Sequence, residues 1–72
     1  MNIPSKNFTV KIGAYIYEVE YSDDIASEGR VFGSTHNHTQ KIFLDPKMKD
    51  QKRDNTFLHE LLHACMFVNG LS

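Results

Sequence analysis

Two histidines and a glutamate lie close together near the end of this sequence, in the segment His59-Glu60-Leu61-Leu62-His63. Because four residues of α-helix turn through about 400°, His59 and His63 should point the same way, one turn apart. Two imidazoles so placed can bind one tetrahedral Zn²⁺ at about 2.0–2.1 Å. Glu60 would lie beside that ion as a base and not as a ligand. The segment therefore predicts a zinc site in which His59 and His63 are the ligands.

Zinc bound in this way would activate water for hydrolysis. The ion lowers the pKa of a bound water to about 7 and polarises the carbonyl of a bound peptide. Glu60 would take the proton from that water and pass it to the leaving amine. The predicted chemistry is hydrolysis of a peptide bond, with Glu60 as the general base. A protein or peptide substrate would add as an extended segment to a sheet edge beside the helix.

The alternative is a chance occurrence of this segment on an amphipathic helix. With four histidines and four glutamates in 72 residues, roughly one sequence in a hundred of this composition would contain the pattern by chance. The context also favours a metal site, since the segment lies within a predicted helix, after a predicted sheet, among apolar residues that would exclude water.

The first elements that could position this helix form a predicted β-hairpin. Residues 8–12 and 15–21 alternate apolar and polar side chains, as half-buried strands do. Gly13, between them, permits a tight turn. One face of the second strand should face the core, and it consists of Tyr15, Tyr17, Val19 and Tyr21.

A second hairpin is predicted after a polar loop at residues 22–29. Its strands would be residues 30–36 and 40–44, joined by a polar turn at 37–39. Asp45 precedes Pro46, and the residue before a proline is disfavoured in helical geometry. The strand region should therefore end there.

From about Lys49 the spacing of apolar residues becomes helical. They recur at intervals of three and four residues, and Gly70 lies where a C-terminal capping glycine is expected. After Ala64 nearly every residue is apolar, which predicts a buried helix end. The predicted fold class is α+β: a small antiparallel sheet of about four strands in two hairpins, packed on one long C-terminal helix that contains the HExxH segment. The expected periodic residues are Phe57, Leu58, Leu61, Leu62, Cys65, Met66 and Val68.

Length and composition fit a single domain over residues 1–72, 40% hydrophobic and 24% charged, with a net charge of -1 at pH 7. This balance predicts neither a nucleic-acid nor a membrane partner. Cys65 is the only cysteine, so no internal disulfide can form, and its apolar surroundings favour a small buried side chain over a catalytic thiol. The N-terminal residues are polar and lack the apolar segment of a signal peptide, so a cytoplasmic location is expected.

The segment from Thr56 to Ala64, TFLHELLHA, resembles the segment T-[LF]-L-H-E-L-L-H-A of small bacterial and phage zincin-like metallopeptidases of the ImmA/IrrE type. Residues 8–21 resemble the opening hairpin of that family. Residues 41–45 resemble its strand that ends in aspartate just before the active-site helix. The resemblance implies a zinc-dependent endopeptidase fold, with His59 and His63 as ligands and Glu60 as the general base.

The resemblance also implies a third ligand, usually glutamate or aspartate, on a helix after the motif. Residues 65–72 contain no carboxylate side chain, whereas catalytic zinc normally has three protein ligands and a water. His36 and His38 are internal candidates, and Cys65 lies on a different helix face. The third ligand could also be the terminal carboxylate at Ser72, or come from a neighbouring molecule or from a C-terminal helix of a longer protein.

Two further functional hypotheses stay open. The chain can be a non-catalytic binding protein on a zincin scaffold, such as a phage or mobile-element inhibitor of a host protein. Zinc would then be structural or absent, and Tyr15, Tyr17 and Tyr21 could form an interaction face instead of a core face. Alternatively, the chain is a fragment that needs a further helix for function. Nothing in the sequence specifies the substrate or the oligomeric state.

Overall fold

The computed structural model describes residues 3–23 and 32–70. Within them, four strands are followed by one long helix. The strands are β1 (Phe8–Ile12), β2 (Tyr15–Tyr21), β3 (Gly33–His36) and β4 (Lys41–Leu44), and the helix is α1 (Asp50–Val68). The predicted α+β class, one small sheet packed on a C-terminal helix that contains the HExxH segment, is confirmed.

The sheet has the strand order β1-β2-β4-β3. Both predicted hairpins form, since β1 pairs with β2 and β3 with β4 in antiparallel fashion. Where the hairpins meet, β2 and β4 are parallel, with Val19 opposite Ile42. The sheet is therefore mixed and not fully antiparallel as predicted. A period-two pattern is the same for either strand direction, so it does not indicate how two hairpins join.

The third strand is shorter than predicted. β3 begins at Gly33 after a bend at Phe32, whereas the sequence predicted residues 30–36. Residues 30 and 31, and most of the predicted loop at 22–29, lie outside the described residues. The turn predicted at 37–39 is present and extends to Gln40, which was predicted as the first residue of the fourth strand but has a left-handed φ of 57°.

The core lies between the inner face of the sheet and one side of α1. Tyr17 and Val19 are fully buried, which confirms the predicted core face at the centre of β2. Tyr15 at one end of the strand is exposed, and Tyr21 at the other is half-buried. The buried apolar side chains of the described residues are Ile3, Ile12, Tyr17, Val19, Ile42, Leu44, Met48, Phe57 and Ala64.

Helix α1 presents only one face to the sheet. It ends as predicted, because Gly70 has a left-handed φ of 71° and its N–H donates to the Phe67 carbonyl at 3.0 Å. The prediction that the helix end after Ala64 is buried is wrong, since Met66 and Phe67 are 36% and 43% exposed. A single sheet can cover only one side of a helix, so much of this apolar segment remains uncovered.

In the described parts of the chain, no helix combines the length and the apolar character needed to cross a membrane.

Candidate metal centre

His59 and His63 lie on the exposed side of α1, one turn apart. Their Nε2 atoms are 3.1 Å apart. The two rings are nearly perpendicular, at an interplanar angle of 84° and a centroid distance of 4.6 Å. The helix therefore brings the two imidazole nitrogens predicted to bind metal to one point on its surface.

The spacing of these nitrogens fits two ligands of one metal ion. Two ligands of a tetrahedral zinc ion, each at about 2.0–2.1 Å, lie roughly 3.3 Å from one another, close to the observed 3.1 Å. In the absence of metal, the same approach is a hydrogen bond in which one ring donates and the other accepts. His59 and His63 can accordingly share a proton or a metal ion with little rearrangement.

No third ligand lies next to this pair among residues 3–23 and 32–70, which contain no group of three histidine, cysteine or acidic side chains able to hold a metal. His36 lies on β3, where alternate side chains face opposite sides of the sheet. Thr35 faces the helix. His36 therefore faces away from it, and its Nε2 lies 3.0 Å from Ser34 Oγ. As a third ligand His36 is excluded in this conformation.

His38 and Cys65 also lie away from the histidine pair. His38 is in the turn after β3, and its ring packs edge-on against Phe67 at a centroid distance of 6.4 Å. Cys65 is half-buried and packs against the core. Ser72, whose terminal carboxylate was another candidate, is outside the described residues. A third protein ligand would have to come from beyond the residues described.

Glu60 lies beside the histidines but on the sheet side of the helix, where it is 8% exposed. Thr35 Oγ1 donates a hydrogen bond to Glu60 Oε1 at 2.7 Å and also lies 3.1 Å from the Glu60 backbone oxygen. Burying a carboxylate is costly unless hydrogen bonds replace its water. The hydroxyl of Thr35 provides one such bond and fixes the carboxylate against the edge of the sheet.

Gly33 allows this close approach of β3 to α1. A Cβ added at Gly33 would lie 2.8 Å from Thr56 Cγ2 and 3.0 Å from Glu60 Cγ, which is closer than van der Waals contact permits. Any larger residue would push the strand or the Glu60 side chain away. Gly33 therefore positions Glu60 through packing, without taking part in the chemistry.

An open cleft of about 740 Å³ adjoins His59 and Glu60. One wall is the start of β3 and the residue before it, and the other wall is the first part of α1. Its volume is within the range of ligand sites in proteins, so it can hold several residues of an extended peptide. The lining residues are Phe32, Gly33, Lys49, Gln51, Lys52, Asn55, Thr56, His59 and Glu60.

Sequence reasoning did not identify Thr35, Gly33 or the cleft residues Phe32 and Lys52. Strand alternation places Gly33 and Thr35 on one face, and this is the only sequence signal that groups them. The contact of this face with α1 is a feature of tertiary packing, in which the edge strand β3 lies against the helix.

Comparison of the chain with protein-family models, curated proteins and solved structures gives no match. The functional assignment therefore depends on the geometry of the histidine pair, the buried carboxylate and the adjoining cleft.

Proposed function

We propose that this protein is a zinc-dependent metallopeptidase-like hydrolase of the small zincin-like kind that its HExxH segment resembles. His59 and His63 would hold the Zn²⁺, which when bound would supply a water of lowered pKa and a positive charge for the substrate carbonyl. The observation that supports this most is the 3.1 Å approach of the two Nε2 atoms next to the buried carboxylate of Glu60.

Glu60 is the proposed general base. Its carboxylate would accept the proton of the attacking water and return it to the nitrogen of the leaving amine. The bond from Thr35 holds one carboxylate oxygen at 2.7 Å, and the other oxygen would handle the proton. Thr35 is thus a positioning residue, acting through Glu60 rather than on the substrate.

The substrate would be an extended peptide segment beside β3. This strand is at one edge of the sheet and pairs with β4 on its other side. The free edge of a strand can bind an extended peptide through backbone hydrogen bonds. Since the cleft runs between the start of β3 and α1, a peptide bound there would pass His59 and Glu60.

Metal content and cleavage test this proposal. Elemental mass spectrometry on tag-free protein should find about one zinc per chain, and His63→Ala should remove it. Glu60→Gln should keep the zinc and abolish cleavage of a protein or peptide substrate. Cleavage retained by Glu60→Gln, with contaminating proteases excluded, would contradict the mechanism. Wild-type protein without zinc, even after zinc is added back, would contradict the metal site.

The second candidate is a non-catalytic binding protein on a zincin scaffold, such as a phage or mobile-element inhibitor of a host protein. It is favoured by the pair of ligands without a third among residues 3–23 and 32–70. In that case Glu60→Gln would leave the biological effect intact, and changes on an exposed surface would remove it. We place either function in the cytoplasm, where the single thiol of Cys65 stays reduced.

A further inference from the structure

The charged residues of the cleft beside Glu60 are unevenly distributed. His59 and Glu60 lie at one end, and Lys49, just before α1, and Lys52, in its first turn, lie at the other. Glu60 is the only acidic residue among the lining residues described, and its carboxylate is bound by Thr35. The end of the cleft away from the histidines is therefore positively charged.

Lys52 is held in place by an aromatic ring. Its Nζ lies 3.7 Å from the centroid of Phe32, an exposed residue just before the edge strand β3. A cation over a ring face keeps its other N–H groups available for hydrogen bonds. Lys52 and Phe32 together present an ammonium group and an apolar surface to whatever occupies this end of the cleft.

Within the described residues, the nearby acidic side chains form no ion pair with these lysines. Asp50 is paired with Arg53, at 3.2 Å. Asp45 is buried and accepts a hydrogen bond from the backbone N–H of Lys47 at 2.9 Å. Within the described parts of the chain, neither Lys49 nor Lys52 has a carboxylate within ion-pair distance.

The spacing along α1 places this charge a few substrate residues from the reacting groups. Lys52 precedes Glu60 by two helical turns, which is about 12 Å at 1.5 Å per residue. An extended peptide advances about 3.3 Å per residue. Allowing for the reach of the lysine side chain, the ammonium group lies roughly two to four peptide residues from the bond at Glu60.

We propose that this end of the cleft selects peptide substrates with an aspartate or glutamate two to four residues from the bond to be cleaved. This inference rests on the proposed peptidase function and names its substrate class. Exposed charge pairs are weak, so each lysine should contribute about a two- to fivefold preference for an acidic over a neutral residue. The preference should decrease with added salt, because salt screens exposed charges.

A binding measurement tests the preference for acidic peptides independently of peptide cleavage. Fluorescence anisotropy on zinc-loaded Glu60→Gln protein would use short fluorescein-labelled alanine-serine peptides, in which a single Asp, Asn or Lys is moved along the chain. The Asp peptides should bind about three- to tenfold more tightly than the Asn peptides at one or two positions. Adding Lys52→Glu should remove or reverse that preference, whereas Lys11→Glu, the same charge change on an exposed residue of β1, should keep it.

Cleavage of the same peptides by the wild-type protein completes the test. If the wild type cleaves but Asp and Asn peptides behave alike, the inferred specificity is overturned and the peptidase function stands. An equal loss of preference with Lys11→Glu and Lys52→Glu also overturns it, because the effect would then be one of net charge. If Asp peptides bind in a Lys52-dependent way and no cleavage occurs, the charged cleft is supported and the peptidase function fails.

Discussion

Thr35 on the edge strand donates a 2.7 Å hydrogen bond to the carboxylate of Glu60 in the middle of α1. The two residues are 25 positions apart in the chain, so this bond exists only when the sheet and the helix are packed together. It makes the position of the proposed base depend on the strand along which the substrate would bind.

Replacing Thr35 with valine should slow catalysis by misplacing Glu60. Valine has nearly the same shape but no hydroxyl, so the buried carboxylate loses a donor, at a cost of about 1–3 kcal/mol in unfolding free energy. We expect kcat to fall about tenfold or more, because a positioned general base contributes roughly 10²–10⁴ in rate. Peptide cleavage at matched zinc content and urea unfolding would measure the two effects.

Thr35→Ser is the matched control, since it keeps the hydroxyl. It should retain most of the activity and stability that Thr35→Val loses. Folded, zinc-loaded Thr35→Val with the kcat of the wild type would show that Thr35 does not position the base.

Gly33→Ala should destabilise the protein at the contact between β3 and α1. The added methyl group would meet Thr56 Cγ2 at 2.8 Å and Glu60 Cγ at 3.0 Å, and overpacking of this kind costs about 1–3 kcal/mol. Cleavage should fall as well, because Glu60 must move. Ser34→Ala, on the opposite face of the same strand, should reduce the unfolding free energy by less. Urea unfolding of both variants would measure the two losses. Equal losses of unfolding free energy in Gly33→Ala and Ser34→Ala would contradict the close approach of β3 to α1 at Gly33.

Zinc should stabilise the protein only when both helix histidines are present. A ligand that binds the folded state at 100 times its Kd adds about 2.7 kcal/mol, so saturating zinc should raise Tm and a chelator should reverse the change. His59→Ala and His63→Ala should remove the zinc-dependent increase in Tm. His36→Ala and His38→Ala should keep it, because the structure places both side chains away from the pair. Loss of the increase in His38→Ala would mean that the turn after β3 reaches the metal.

The sequence predicted those features that depend on local spacing. His59 and His63 are four residues apart on one helix, so their common direction follows from helix geometry alone. Each hairpin likewise follows from a polar or glycine turn between two short segments of strand-forming residues. The contact of Thr35 with Glu60 and the parallel pairing of Val19 with Ile42 join distant segments, and no local pattern specifies them. Apolar spacing also predicted a buried helix end, but one small sheet cannot cover all sides of a helix.

The stability of the fold should decrease at alkaline pH through Tyr17. Burial is the main cause that raises the pKa of Tyr17 above 10.0, and the nearby Cys65 and Tyr15 raise it further. The folded state therefore holds the phenol proton more tightly than the unfolded state. The stabilisation is complete below pH 10.0, the unfolded value, and is lost as the pH rises from there through the folded pKa.

In Tyr17→Phe, the unfolding free energy should decrease less steeply with rising alkaline pH than in the wild type. At neutral pH the substitution also removes the 2.9 Å hydrogen bond from the Tyr17 hydroxyl to Asn37 Oδ1, at a cost of about 1 kcal/mol. Some loss of stability at alkaline pH should remain, because burial raises the pKa of Tyr21 and the hydrogen bond with Glu20 raises the pKa of Lys41. Urea unfolding between neutral pH and about pH 11 would measure how the unfolding free energy of the wild type and of Tyr17→Phe changes with pH. If the unfolding free energy of Tyr17→Phe decreased with pH as steeply as that of the wild type, Tyr17 would not be a cause of the alkaline loss.

Leu58, Leu62 and Met66 form an exposed apolar stripe on α1. If the protein is a monomer, this stripe should tolerate polar substitution. Leu62 is 59% exposed, and changes at uncovered surface positions usually alter the unfolding free energy by no more than about 0.5 kcal/mol. Leu62→Gln should fall in that range. Ala64→Leu should cost about 1–3 kcal/mol, because Ala64 is fully buried against the sheet.

Urea unfolding at several protein concentrations would distinguish a free stripe from a covered one. A concentration-independent midpoint with an almost neutral Leu62→Gln fits a chain whose helix face is open to solvent. A large loss in Leu62→Gln, with a midpoint that rises with concentration, would show that the stripe is buried between chains. The interface would then lie beside His59 and His63 on the same helix, where a neighbouring molecule could complete the metal site.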